Sequence, residues 1–360
     1  MAQKAKVIKP KHSVGQTLMF LLKSLFKNVD ILENEQPLWL ALIIMVISLF
    51  SVVASGLAVN YRASANSILT TSNGDTCLDY GLQDFSYDID NTNNTLKIEN
   101  GSLTGTGIFT PQILSADGLT PIDANATYTH IKNGESIVVF KVFVLDMDPI
   151  KTPQPERLNN FLNTSVLQRD TAANKNNWSP FSFMILTKST VAFYTYVPGV
   201  DTARAAVQGY LSAWNNYDLH LIGHQVNSSK ITDPIKIENN MVAFLDATYT
   251  PLKVALAWQN FGLQIGITGG IFLVAVLIFF LVSRGRNSLM NFSFIQSLKV
   301  VSFMSLTPGI LAFALGWFLS NYVPFIYMLI MALRIMSAIN KINGRSSSNN
   351  SEGPVYKARS

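Results

Sequence analysis

Cysteine occurs once in the chain, as Cys77, so an internal disulfide and every CxxC metal or redox motif are excluded. That thiol is expected to be structural. Charge is also scarce, at 14% of the 360 residues against about 25% in an average soluble protein, while 48% are hydrophobic. The shortage points to a membrane. The net charge of +5 is not gathered into a basic stripe interleaved with aromatics, which excludes a nucleic-acid partner. The four histidines offer one pair at helical spacing, His220 and His224 in "DLHLIGH". A third firm zinc ligand and the general base of His-Glu-x-x-His are missing there, so no metal is expected. The chain has no Walker loop, no G-x-S-x-G and no dinucleotide fingerprint. The expectation is a protein that is not an enzyme and holds no cofactor, although a triad assembled from distant residues leaves no local trace.

What is abundant is apolar sequence in long runs. A bilayer core about 30 Å thick needs roughly 20 apolar residues as helix. Four segments supply them: 37–60, the charge-free run 254–283, 300–319 and 323–340, the last two separated by "SNY". Trp39 sits where an interfacial aromatic anchor belongs. Residues 1–36 carry six lysines against three acids, the 284–299 linker carries Arg284, Arg286 and Lys299, and the 341–360 tail carries Lys341, Arg345, Lys357 and Arg359. The positive-inside rule therefore places both termini and the linker in the cytoplasm of a multi-pass cell-membrane protein, with 61–253 outside. The tail is expected to be disordered. The first run is longer than a signal-peptide core and reads as an uncleaved anchor, despite "ASA" at 63–65. Ahead of it, Val14, Leu18, Leu21, Leu22 and Leu25 recur at helical spacing, which suits an amphipathic helix in the cytoplasmic interface or one packed under the bundle.

The region 61–253 is long enough for its own core and reads as α+β. Asn133-Gly134 is the strongest short hairpin signal and precedes the β-rich run 137–145. "FSFMILTKSTVAFYTYV" reads as two strands turning near Lys188 and Ser189. Asp201 is placed to cap a helix running to about Asn215, with Ala205, Ala206, Tyr210, Leu211 and Trp214 on its apolar face. "DIDNTNNTLKIENGSLTGTG" reads as loops around one short strand. Sequons occur at Asn93, Asn100, Asn125, Asn163, Asn177 and Asn227, as an Asn-rich surface produces by chance.

Two features of the spans are specific. Gly262, Gly266 and Gly270 form a smooth ridge for close helix approach, within the chain or with another protein, and Ala312 and Gly316 make a weaker version in the third span. Arg334 is the sole charge inside an apolar span. Measured from the "SNY" turn, it lies 13 residues along the fourth span, and Pro308 lies 13 residues back along the third. Pro308 removes the backbone donor that would bond Met304. Two readings stand: Arg334 reaches back to cytoplasmic water, or it donates to carbonyls near Met304 and Ser305 or to Thr307 and pins the last two spans.

The "LLKSLFKN" segment, the "FSFMILTKSTVAFYTY" strand pair and "SFIQSLKVVSFMSLTPGILAFAL" together resemble a family of Gram-positive bacterial membrane proteins catalogued as domain of unknown function 1189. Some of its members are labelled maltodextrin-utilisation proteins. The resemblance implies an accessory role near a sugar-uptake system and supplies no catalytic residues. The expected partners are the lipid bilayer and a membrane or envelope protein, either a sugar transporter or cell-wall machinery, with a homo-oligomer also open. A transporter or channel subunit is the alternative function.

Overall fold

Among the described residues, four helices are long and apolar enough to cross a membrane: Leu38–Arg62 (α2), Pro234–Ser283 (α5), Phe294–Gly316 (α6) and Val323–Ser348 (α7), the last through Asn340. They form around stretches rich in Leu, Ile, Val and Phe, whose helical backbone satisfies its own polar groups. The computed structural model describes residues 14–26, 31–32, 37–66, 69, 78–89, 93–166, 181–195, 205–224, 229–284 and 291–348. It divides into a helical unit, Met1–Arg62 with Ala257–Ser360, and a sheet-containing unit, Ala63–Leu256. Cys77 and Asp201 lie outside the described residues.

In the helical unit, helix Val14–Phe26 (α1) lies against α6, with Phe20 edge-on to Phe303 at 5.2 Å. Phe20 is buried there, while Met19 and Leu22 of the same helix are exposed. Phe272, Val276 and Phe279 of α5 join Ile44 of α2, Met304 of α6 and Met331 of α7 in one core. The opposite faces are apolar and exposed, for example at Ile43, Leu277, Ile310 and Leu333. Ser293 caps α6 in a reciprocal capping box with Gln296, so this helix starts before position 300. Helix α7 continues to Ser348, into the tail expected to be disordered. No proline stops it, and the single Gly344 lowers helix propensity by only about 1 kcal/mol.

The second unit is built on a five-stranded sheet. Its strands are Ala126–Lys132 (β3), Glu135–Val144 (β4), Ser182–Leu186 (β5), Thr190–Thr195 (β6) and Ala205–Tyr210 (β7), in spatial order β3-β4-β5-β6-β7. Asn133 and Gly134 take φ of 54° and 86°, the left-handed pair that a two-residue hairpin turn requires. β4 runs parallel to β5 after a crossover that includes Pro155–Phe161 (α4), and the other neighbours are antiparallel. Alternation sends Phe140, Val142 and Val144 to one face and Phe143 to the other, while central β5 is buried on both. The first face packs on Leu78–Ile89 (α3) and on Ile237, Met241 and Phe244 of α5; the second packs on Phe161 of α4. Asp246 ties down the start of the unit, accepting from Ala65 N at 2.7 Å and Ser64 Oγ at 2.6 Å.

Three expectations are corrected here. The helix expected over 201–215 is strand β7 followed by a short 3-10 turn: Val207 and Gly209 face inward, Ala206 and Gln208 outward, and pairing runs from Thr190↔Tyr210 to Thr195↔Ala205. Apolar residues at helical spacing also satisfied a period of two, and the free edge of β6 decided between them. A Cβ on Gly209 would sit 2.5 Å from the Thr248 backbone, so only glycine allows that strand so near α5. The stretch around 88–107 holds two strands, Leu96–Glu99 (β1) and Ser102–Gly105 (β2), turning at Asn100 and Gly101 with φ of 50° and 74°. Asn216–Asp218 (β8) completes that small sheet in the order β2-β1-β8. Finally, the connecting helix starts at Pro234 and not near 254, and continues through Pro251, which removes the backbone bond to Ala247.

Candidate functional site

Arg334 is the chemical centre of the helical unit. One guanidinium nitrogen donates to Met304 O at 2.9 Å and Thr307 Oγ1 at 2.6 Å. The other donates to Ser24 O near the end of α1. Thr307 Oγ1 in turn donates to Leu25 O at 2.7 Å. The reason is local on both helices. Pro308 leaves Met304 O without its helical donor, and α1 ends at Phe26, leaving its last carbonyls open. A planar fork of donors suits acceptors from two helices better than a point charge does. Ser305 is served differently, its carbonyl accepting from Ser48 Oγ at 2.6 Å. Ser24 and Leu25 were missed in the sequence reading, and the signal available was the helix end itself. Chemically, the node joins α1, α6 and α7.

The small-residue seams diverge. On α6, Gly309, Ala312 and Gly316 face α2 so closely that a Cβ on Gly309 would lie 2.6 Å from Ser48 Oγ, and one on Gly316 2.0 Å from Ser55 Oγ. The ridge of Gly262, Gly266 and Gly270 is exposed instead, with nothing within 4 Å of an added Cβ. A helix advances about 100° per residue, so this ridge stands about 200° from Thr268 and Phe272, which are buried. Within the described residues it therefore makes no helix-helix seam.

Beside the other face of α5, a cleft of about 420 Å³ opens between α2, α5, the 320–322 turn and α7. Its polar lining is Asn60, Asn260, Gln264 and Ser320, and its deeper wall includes Ile271 and Met328.

The sheet-containing unit carries an ion-paired group at β8. Asp218 lies 3.2 Å from Lys97 Nζ and 2.9 Å from His220 Nδ1. Burial works against its ionisation, but donors from His220 and the nearby Lys97 outweigh it and hold the carboxyl below its ordinary value. Burial, with Asp218 adjacent, pushes the Tyr217 hydroxyl up to about 12. His220 stands on a 3-10 turn and not an α-helix, and His224 lies just beyond it in an antiparallel bridge to Lys230, with His224 Nδ1 3.1 Å from His220 O. Among the described residues no three His, Cys, Asp or Glu side chains group as a metal site would need. Asn125, read as a sequon, bonds the backbone through both amide atoms, donating to Ile108 O and Thr110 O at 2.9 Å and accepting from Val144 N at 2.7 Å. Asn177 and Asn227 lie outside the described residues. No family model, curated protein or solved structure matches this chain.

Proposed function

We propose that this chain is an integral membrane accessory protein. Four helices span the cell membrane with both termini in the cytoplasm, and the α+β unit stands outside to bind a partner protein, an envelope component or a sugar. The observation that carries the reading is the sheet unit's two-sided core, carried in the chain between apolar helices whose sole span charge is committed to holding helices together. A charge so engaged serves the bundle's assembly in preference to a solute path. The resemblance noted in the sequence makes a maltodextrin-uptake system the first partner class to test. Crosslinking in native membranes followed by purification of the full chain should recover a transporter or envelope protein reproducibly; repeated recovery of none overturns the accessory role.

A second reading, a transporter or channel subunit acting as an oligomer, draws on the exposed ridge of Gly262, Gly266 and Gly270. Solute flux into liposomes holding only the purified protein would establish it in place of the first.

A further inference from the structure

We infer that the cleft beside α5 is a binding site for one membrane lipid with an uncharged, hydroxyl-rich headgroup, a glycosyl diacylglycerol. The inference rests on the reading that these helices cross the bilayer. Its volume, about 420 Å³, falls in the range of ligand sites, roughly 300–1,000 Å³. Depth and polarity then choose the ligand. Asn60 lies two residues before the end of α2, Asn260 and Gln264 lie where α5 joins the unit, and Ser320 lies in the turn before α7. All four polar groups thus stand at one end of the bundle. Ile271 and Met328 line the deeper part, and Ile271 is eleven residues beyond Asn260 along α5. Eleven residues span about 16 Å, roughly half of a 30 Å hydrocarbon core. A site polar at one end and apolar for the depth of one leaflet matches a lipid, not a water-soluble solute.

The headgroup follows from the donors. The lining holds no ionisable side chain, so it offers no counterion to a phosphate. Arg62, two residues beyond Asn60 on α2, is placed over the Trp317 ring at 5.1 Å and is not part of the lining. Carboxamides donate and accept at once, as sugar hydroxyls do. Leu263 and Phe325, which are 62% and 64% exposed, form the rim, so the opening is flanked by apolar surface of the kind that faces acyl chains. Gln264 reaches the wall at Gly56, where an added Cβ would meet its amide oxygen at 3.2 Å. A larger residue at 56 would displace the flexible end of that side chain and fill the head end.

The test uses the full chain, reconstituted with equal amounts of monoglucosyl diacylglycerol and phosphatidylglycerol of matched acyl chains, and native mass spectrometry of the lipids retained. The glycolipid is expected to be retained preferentially. Gln264→Leu and Gly56→Leu should each lower its retention about fivefold, the scale of one or two lost hydrogen bonds. Met328→Trp should do the same by filling the tail end, and Leu281→Ala, on exposed apolar surface away from the cleft, should change nothing. Equal retention of both lipids, or retention unchanged in the three cleft variants with thermal midpoints near wild type, overturns the site. Alkaline carbonate extraction separates the two ideas: release from membranes overturns the spanning reading, whereas membrane-retained protein without lipid selectivity overturns only the lipid site.

Discussion

Arg334 shows how one residue can be costly alone and stabilising in place. Its guanidinium meets Met304 O, Thr307 Oγ1 and Ser24 O, so Arg334→Met removes the donor from acceptors on two helices. We expect a loss of about 2–3 kcal/mol, the scale of hydrogen bonds to a charged group, read as a lower thermal midpoint in detergent. Arg334→Lys should recover only part of it, because an ammonium lacks the fork; a midpoint equal to wild type for the Met variant would show that the contacts contribute nothing net. In the sheet unit, Asn125→Ala strips both carboxamide donors and the acceptor from backbone groups and should cost about 2 kcal/mol in equilibrium unfolding. Asp218 predicts a pH dependence. Its folded-state pKa lies below the unfolded value of about 3.9, so its contribution is present above that pH and lost as pH falls through the folded value. Unfolding followed between about pH 6 and 2 should show Asp218→Asn less stable than wild type at the upper end, with the difference closing at the lower.

Helices and strands differ in how much of them the chain declares locally. The spans were readable because stretches of about twenty mostly apolar residues have few other fates, and the β3-β4 hairpin because Asn-Gly at 133–134 favours left-handed backbone. The same dipeptide at Asn100-Gly101 marks β1-β2, yet the polar residues around it hid strands whose inward side chains are only Leu96, Ile98 and Leu103. β7 was misread because Ala, Val, Gln, Gly and Tyr fit both periods, and what decides it is a partner strand distant in space. Of the node around Arg334, Met304 and Thr307 followed from Pro308, whereas Ser24 depends on where α1 docks, which no local pattern encodes. The glycines give a matched experiment. Gly316→Ala puts a methyl into Ser55 and should destabilise by about 1–3 kcal/mol, while Gly266→Ala meets nothing and should be neutral or stabilising by up to about 1 kcal/mol. Thermal midpoints of the two variants compare them directly, and loss of stability at 266 would reveal a partner helix there.

For the molecule as a whole, orientation is the property on which the proposed role depends. In a Cys77→Ser background, a cysteine at the exposed Ala116 should react with an impermeant maleimide on intact cells, and one at Ser351 only after lysis. The reverse pattern would put the sheet unit in the cytoplasm and end the proposal of an outer binding domain. Synthesis adds a temporal side to the architecture. Arg334 leaves the ribosome 310 residues after Ser24, the carbonyl it will bond. At about 5–20 residues per second, that is a wait of about 15–60 s. During it the open carbonyls at the end of α1 depend on water or headgroups, so the first helix made can take its final place only when a much later one arrives.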